Sequence, residues 1–223
     1  METARRQKKE RAIWDKQAAG YDNRVFRMYE NAYDLSIQKI RSVLSPDHKV
    51  LEIGCGTGII SLGIAPYVES VIAADISPRM LSMAKSKAES SSISNVDFRL
   101  YDGYSIPCAD ESFDVVLLFN TLHVVKEPES LLREANRLLK PSGCLLSATD
   151  CYGEPVPFPV RLMLGVQKLL KRIGFISFLW YYGREDLHRL FEQSGFDITD
   201  SDVLHPAPVN YYLLAGKRVP SSR

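Results

Sequence analysis

Along the middle of the chain, short apolar runs alternate with amphipathic stripes, and the rhythm breaks toward both ends. Residues 12–44 read as mostly helical, with a break around Gly20-Tyr21-Asp22-Asn23. Residues 50–53 then form a buried-strand pattern ending in glycines, followed by a helix over 59–65 and a second strand over 71–74. Ser77-Pro78 is a helix start, pairing a capping hydroxyl with a proline at the first helical position, and the helix continues to about residue 90. Residues 96–100 and 113–119 are strands three and four. Leu131, Leu132, Ala135, Leu138 and Leu139 mark one face of a helix that Lys140-Pro141-Ser142-Gly143 stops, and a fifth strand covers 144–148. Strands with near-continuous apolar runs, alternating with helices, predict a parallel sheet covered on both faces.

The C-terminal part follows another pattern. Pro155, Pro157 and Pro159 argue against regular structure over 151–160. Residues 161–182 are apolar and aromatic, with Arg161, Lys168, Lys171 and Arg172 interleaved. Residues 184–193 read as a helix stopped by Gly195. Two strands, 197–203 and 209–215, are spaced to pair as an antiparallel hairpin around Pro206 and Pro208.

Composition narrows the classes. Of the 223 residues, 45% are hydrophobic and 25% charged, enough for one packed core. A net charge of +1 provides no general field for a polyanion, so no nucleic-acid partner is expected. Cys55, Cys108, Cys144 and Cys151 form neither a C-x-x-C pair nor a regular framework, so we expect no metal site and a reducing, cytoplasmic setting. The basic N-terminus lacks the apolar run of a signal peptide. The longest uncharged apolar stretch, 173–182, is too short to cross a bilayer, so no integral membrane segment is expected. Peripheral association and oligomeric state stay open.

Candidate chemistry lies at the strand ends. Glu52-Ile53-Gly54-Cys55-Gly56-Thr57-Gly58 joins a strand to a helix, where glycines permit a sharp turn and a ligand can lie against bare peptide. The loop is not the dinucleotide G-x-G-x-x-G, because position 59 is isoleucine, and no Gly-Lys-Ser/Thr of a phosphate loop follows. Asp75 closes the second strand 19 positions after Gly56, near the offset of a ribose-binding carboxylate; capping the Ser77-Pro78 helix is the competing role. Asp102-Gly103 closes the third strand, as a turn pair or as an acceptor for a ligand amine. Asn120-Thr121-Leu122-His123 closes the fourth.

These segments, with Asp110-Glu111-Ser112-Phe113-Asp114 and Leu139-Lys140-Pro141-Ser142-Gly143, resemble the motifs of class I S-adenosylmethionine-dependent methyltransferases. The closest flavour is the subgroup containing ubiquinone/menaquinone C-methyltransferases and other small-molecule enzymes. The resemblance implies an α/β, Rossmann-like, doubly wound seven-stranded sheet, mostly parallel with an antiparallel C-terminal strand. On that pattern residues 1–223 form a single domain. It comprises a helical N-terminal cap (12–44), a cofactor-binding core (45–150), a lid insertion (151–183), and a last helix with the hairpin (184–216). The resemblance further implies that Gly54, Gly56 and Gly58 wrap the methionine part of S-adenosyl-L-methionine, within a loop that also holds Glu52 and Cys55. Asp75 would hold the ribose, Ile76 would pack on adenine, and Asp102, followed by Gly103, would take the adenine amine. The Asn120 backbone would face the amino-acid end, and Tyr21 of the Tyr21-Asp22 pair would close over the cofactor.

A sulfonium methyl is already activated, so in-line placement and exclusion of water are the main requirements. His123 is the first candidate base, if the acceptor must lose a proton, and a pocket-lining histidine is its other role. Asp150 is a second candidate. The Asn/Asp-Pro-Pro-Tyr/Phe motif of base-amino methylation and the cysteine of RNA C5 enzymes are both absent after the fourth strand. The aromatic residues of 155–182, among them Phe158, Met163, Leu164, Phe175, Phe178, Trp180, Tyr181 and Tyr182, suit a lid over a small, fairly apolar acceptor. Packing on the sheet, membrane contact and dimerisation compete with that reading. The alternatives for function are a protein or RNA methyltransferase, a cofactor-binding protein without transferase activity, and an oxidoreductase.

Overall fold

The computed structural model describes residues 2–29, 31–158, 161–162, 164–166, 169 and 178–218. Its centre is a seven-stranded sheet in the order β3-β2-β1-β4-β5-β7-β6. The strands are β1 (Lys49–Ile53), β2 (Ser70–Asp75), β3 (Val96–Leu100), β4 (Phe113–Phe119), β5 (Leu139–Asp150), β6 (Phe196–Pro206) and β7 (Val209–Lys217). The first five run parallel, and β7 is antiparallel to both β5 and β6. Strand order reverses between β1 and β4, which opens a crevice beyond their carboxyl ends.

Alternation along each strand sorts side chains to two cores. Val50, Val115 and Leu117 face one side, with Ile40 of α3 (Ala32–Arg41), Ile60 of α4 (Ile59–Ile64) and Ala84 of α5 (Pro78–Ser90). Leu51, Ile53, Val116 and Leu118 face the other, with Leu131 and Ala135 of α6 (Pro128–Leu138) and Leu187 and Phe191 of α7 (Arg184–Gln193). Both faces are therefore buried, which is why these strands lack a polar alternate. Ser77 caps α5 by accepting from the Met80 N–H at 3.1 Å, with Pro78 behind it.

The N-terminal segment is three helices: α1 (Glu2–Ala18), α2 (Tyr21–Tyr29) and α3. The expected break falls at Gly20, whose φ is +71°, but helix begins well before residue 12. The predicted stop at 140–143 is not a turn, because α6 runs straight into β5. Leu139 pairs with Phe113 and Cys144 with Val115, so Lys140–Gly143 bulges from the ladder. A bulge tolerates the proline that suggested a stop. Residues 155–157 have no regular structure, whereas residues 158, 161–162, 164–166 and 169 are helical. The proline run was read as excluding that structure through 160. Met163 and Phe175 of the expected lid lie outside the described residues.

Candidate active site

The glycine loop is fastened to β2, since the N–H groups of Gly54 and Cys55 both donate to the Ala74 carbonyl, at 2.8 and 3.0 Å. Gly54 has φ +79°, and a Cβ there would lie 2.4 Å from Thr121 Oγ1, so only glycine lets the β1 and β4 ends approach this closely. Gly56, at φ +53°, faces open space, where a Cβ would meet only the Tyr21 ring edge at 4.0 Å. The Gly56 N–H donates to Asp75 Oδ2 and the Ser77 N–H to Asp75 Oδ1, each at 2.8 Å. Ser77 itself caps α5, so the Asp75 carboxylate ties the loop to β2 instead of capping the helix through its own side chain. Burial pushes its pKa up to about 6, against the backbone donors that favour the charged form.

These ends open on one cavity, lined by polar and apolar groups together. Tyr21, Gly54, Gly56, Asp75, Ile76, Asp102 and Asn120 stand on its wall. Ile53, Met80, Phe119 and Leu131 supply apolar surface between the polar groups. Asp22 holds α2 over the loop, accepting from Thr57 Oγ1 at 2.5 Å and pairing with Lys87 at 2.8 Å, and this delivers Tyr21 to the cavity. At the opposite end, Asp102 Oδ1 accepts from the Tyr104 N–H at 3.2 Å and Oδ2 from Gln7 Nε2 at 2.5 Å.

Four expected contacts stand behind the wall. Glu52 points into the core and accepts from the Ser61 hydroxyl of α4, and burial pushes its pKa up to about 7. Cys55 is buried, which raises its thiol well above the ordinary range and makes it no nucleophile. Gly58 starts α4 at φ +79° and backs onto Ala84 and Phe98. Gly103 lies against Ile53 and Leu131. Each shapes the loop or its backing rather than lining the cavity.

Beyond Asn120 lies a buried polar network. Asn120 is left-handed at φ +54°, a strained conformation of the kind that gathers at functional sites. Its Nδ2 donates to the Tyr33 hydroxyl at 3.3 Å, and its Oδ1 accepts from Asn210 Nδ2 at 2.7 Å. The same Asn210 amide reaches Asp150 Oδ1 at 2.8 Å, and Asp150 Oδ2 accepts from Tyr152 at 2.8 Å and from Tyr29. His123 Nε2 lies 3.7 Å from that carboxylate, while its buried Nδ1 has no hydrogen-bond partner among the described residues. Burial drives the His123 pKa below its usual value, opposed by Asp150, so the ring is neutral at pH 7. His123 is 5% exposed and is not on the cavity wall. Trp14, Thr121, Val124 and Val125 are on that wall, and sequence reasoning had not singled them out.

Trp180, from the segment expected to form a lid, is fastened to the turn after β4. The Trp180 N–H donates to the His123 carbonyl and its ring N–H to the Val125 carbonyl, each at 2.8 Å. Phe158, expected to line a lid, is 67% exposed, whereas Leu164 is buried.

Residues 51–147 match the model of a family described as "Methyltransferase domain". Over residues 51–147 the chain is thus similar to class I S-adenosylmethionine-dependent methyltransferases. Among its relatives is a ubiquinone biosynthesis O-methyltransferase of Cereibacter sphaeroides, 29% identical over 165 residues, covering 73% of this chain and 66% of that one. An uncharacterized methyltransferase of Bacillus subtilis is 32% identical over 136 residues, covering 61% and 52%. The match thus spans just under two-thirds of the first relative's length and about half of the second's. A Thermotoga maritima structure described as a SAM-dependent methyltransferase superposes with TM-score 0.67 at 24% identity, over 94% of this chain and 100% of that one. The [4+2]-cyclase SpnF superposes equally well, TM-score 0.67 at 22% identity, over 84% and 80%, a likeness that shows the fold alone.

This family and fold imply S-adenosylmethionine as the cofactor, and the residues on the cavity wall suit its chemistry. Gly56 presents bare backbone, the Asp75 and Asp102 carboxylates stand on the wall as acceptors, and Ile76 and Met80 offer apolar surface. Among the described residues no His, Cys, Asp or Glu cluster is arranged to hold a metal. No helix among them is long and apolar enough to cross a membrane.

Proposed function

We propose that the protein transfers a methyl group from S-adenosylmethionine to a small, fairly apolar acceptor by in-line displacement. One observation carries this reading: residues at the ends of β1, β2, β3 and β4 meet on a single cavity, in the order in which the domain would meet one ligand. The named ubiquinone relatives and the near-neutral charge support a small molecule over a polyanion.

When bound, the cofactor supplies a methyl group already activated on a sulfonium. The chain's own residues hold, orient and keep dry. The Gly54–Gly56 backbone and Asn120 would face the amino-acid end, Asp75 would accept from the ribose hydroxyls, and Ile76 and Asp102 would receive the adenine; all of these residues except Cys55 stand on the cavity wall. Trp180, bonded to the carbonyls of His123 and Val125 in the turn after β4, would cover the acceptor side. His123 takes a proton from acceptors that must lose one. It is buried behind the cavity wall in this structure.

Thermal unfolding with S-adenosylmethionine, S-adenosylhomocysteine and NADH tests the cofactor. A ligand at a hundred times its dissociation constant adds about 2.7 kcal/mol. For a domain of this size that raises the midpoint by roughly 5–10 °C. Both adenosyl ligands should give the shift, NADH should not, and Asp75→Ala should reduce it. Absence of a shift with the adenosyl ligands would overturn the reading. Radiolabelled methyl transfer, tried on phenols and quinols, polar amines, peptides and RNA, then tests the acceptor. Labelling confined to charged, polar acceptors would refute the apolar class.

A further inference from the structure

Asp102 is the residue proposed to receive the adenine amine, yet its carboxylate already has a side-chain donor from far away in sequence. Gln7 of α1 places Nε2 at 2.5 Å from Asp102 Oδ2. A primary carboxamide offers the same kind of N–H₂ donor as the exocyclic amine of adenine. With the Tyr104 N–H on Oδ1, both oxygens of Asp102 are engaged.

α1 bridges the adenosine end of the cavity and is fastened at two places. Its C-terminal half rests on the start of α5, where Asp15 accepts from Ser77 Oγ at 2.6 Å and from the Arg79 N–H at 3.2 Å. Arg11 Nε donates to the Ile76 carbonyl at 3.2 Å, and Trp14 stands on the cavity wall. Its N-terminal half crosses to the far side. There Arg6 pairs with Glu127 at 2.7 Å, lies over the Tyr104 ring at 4.8 Å and approaches Asp102 at 3.9 Å.

The two halves are held differently. Beyond Trp14 and the buried Ala18, the sequence ETARRQKKERAIWDKQA carries little apolar surface, so polar contacts hold the helix over the site. Those contacts are incomplete. Glu10 is 8% exposed, and neither its Oε1 nor Arg6 Nε has a hydrogen-bond partner among the described residues. Buried polar atoms without partners penalise the closed position. An element held by few, imperfect polar bonds sits at the low-stability end of a fold and opens locally.

We propose that the N-terminal half of α1 is a latch on the cofactor site, and that the Gln7 carboxamide competes with the adenine amine for Asp102. The latch rests on the reading of this cavity as the S-adenosylmethionine site. Entry of the adenine end requires Gln7 to release Asp102, while the Asp15 anchor keeps α1 on the body.

Calorimetric titration and stopped-flow binding of S-adenosylhomocysteine to the full chain test this without relying on turnover. The proteins are wild type, Gln7→Ala and Gln7→Glu, the last of which sets a carboxylate against Asp102. A latch closed about four-fifths of the time lowers apparent affinity about fivefold, so both variants should bind about fivefold more tightly and associate faster. Hydrogen exchange in residues 6–10 of the free variants should speed up by a similar factor while that of 15–18 stays unchanged. If wild type binds and both Gln7 variants bind equally or more weakly, the latch is overturned and the cofactor site stands. If no protein binds the ligand, wild type included, the cofactor reading falls and the latch falls with it.

Discussion

Replacing Glu52 by glutamine should make the protein more stable above neutral pH and leave it unchanged in acid. The Glu52 carboxyl is 2% exposed, accepts a hydrogen bond from Ser61 and has no cation among its influences. Its pKa stands at about 7 instead of 4.5, chiefly through loss of hydration, with Asp75 adding a smaller repulsion. At about 1.4 kcal/mol per tenfold change, ionising it inside the folded chain costs roughly 3 kcal/mol. The sign follows from proton counting. Between about pH 4.5 and 7 the folded chain holds this proton and the unfolded chain does not, so stability falls as pH rises through that window. Glutamine keeps the shape, accepts from Ser61 and never ionises. Urea unfolding at pH 4 and pH 8.5 should therefore give nearly equal stabilities in acid and a gain of up to about 3 kcal/mol in base. Asp75 is present in both proteins, and its repulsion with Glu52 is part of the difference measured. Identical pH dependence for the two proteins would refute the burial argument. Because Glu52 faces α4 and not the cavity, the Kd for S-adenosylhomocysteine should change by less than about twofold, or roughly 0.4 kcal/mol.

Two further outcomes separate scaffold from site. Gly54→Ala combines a positive φ with a 2.4 Å approach to Thr121 Oγ1 and should cost about 2–5 kcal/mol in urea unfolding. Gly56→Ala, which meets nothing closer than 4.0 Å, should cost only about 1–2 kcal/mol yet weaken S-adenosylhomocysteine binding more than its stability loss explains. For His123, imidazole NMR should find titration below its usual value, and Asp150→Asn should lower it further, because the Asp150 charge is what raises it. A His123 pKa above 6.5 in wild type would refute the burial argument there. The depressed pKa also means that stability is lost as pH falls below the unfolded value, opposite in sign to Glu52.

The parallel half of the fold was legible because both sheet faces are buried. Val50 and Leu51 serve opposite cores, so the strand has no polar alternate and reads as a continuous apolar run. The antiparallel hairpin was legible from its spacing and prolines. Boundaries failed where local chemistry had two structural uses. Lys140-Pro141-Ser142-Gly143 serves a bulge as well as it serves a helix stop, and only the pairing of Leu139 with Phe113 distinguishes them. The polar sequence of α1 offers no apolar stripe to announce a helix, because its partners are the charged and polar groups around Asp102 and Ser77.

The candidate site divides along the same line. The wall of the cofactor cavity is made of strand ends, whose residues sit at intervals fixed by the fold, so Gly54, Gly56, Asp75, Asp102 and Asn120 could be chosen from spacing. Tyr29, Tyr33, Tyr152 and Asn210 meet from both ends of the chain, through bonds spanning up to 121 positions, and no local pattern joins them. Their arrangement bears on which of His123 and Asp150 would handle a proton. Asp150 already accepts from Tyr29, Tyr152 and Asn210, so both of its carboxylate oxygens are occupied. His123 instead keeps one buried nitrogen without a partner and stays neutral, the form a base requires. The three donors to Asp150 therefore leave the open position on the imidazole, and that supports His123 as the base with Asp150 as the charge that steadies it once protonated.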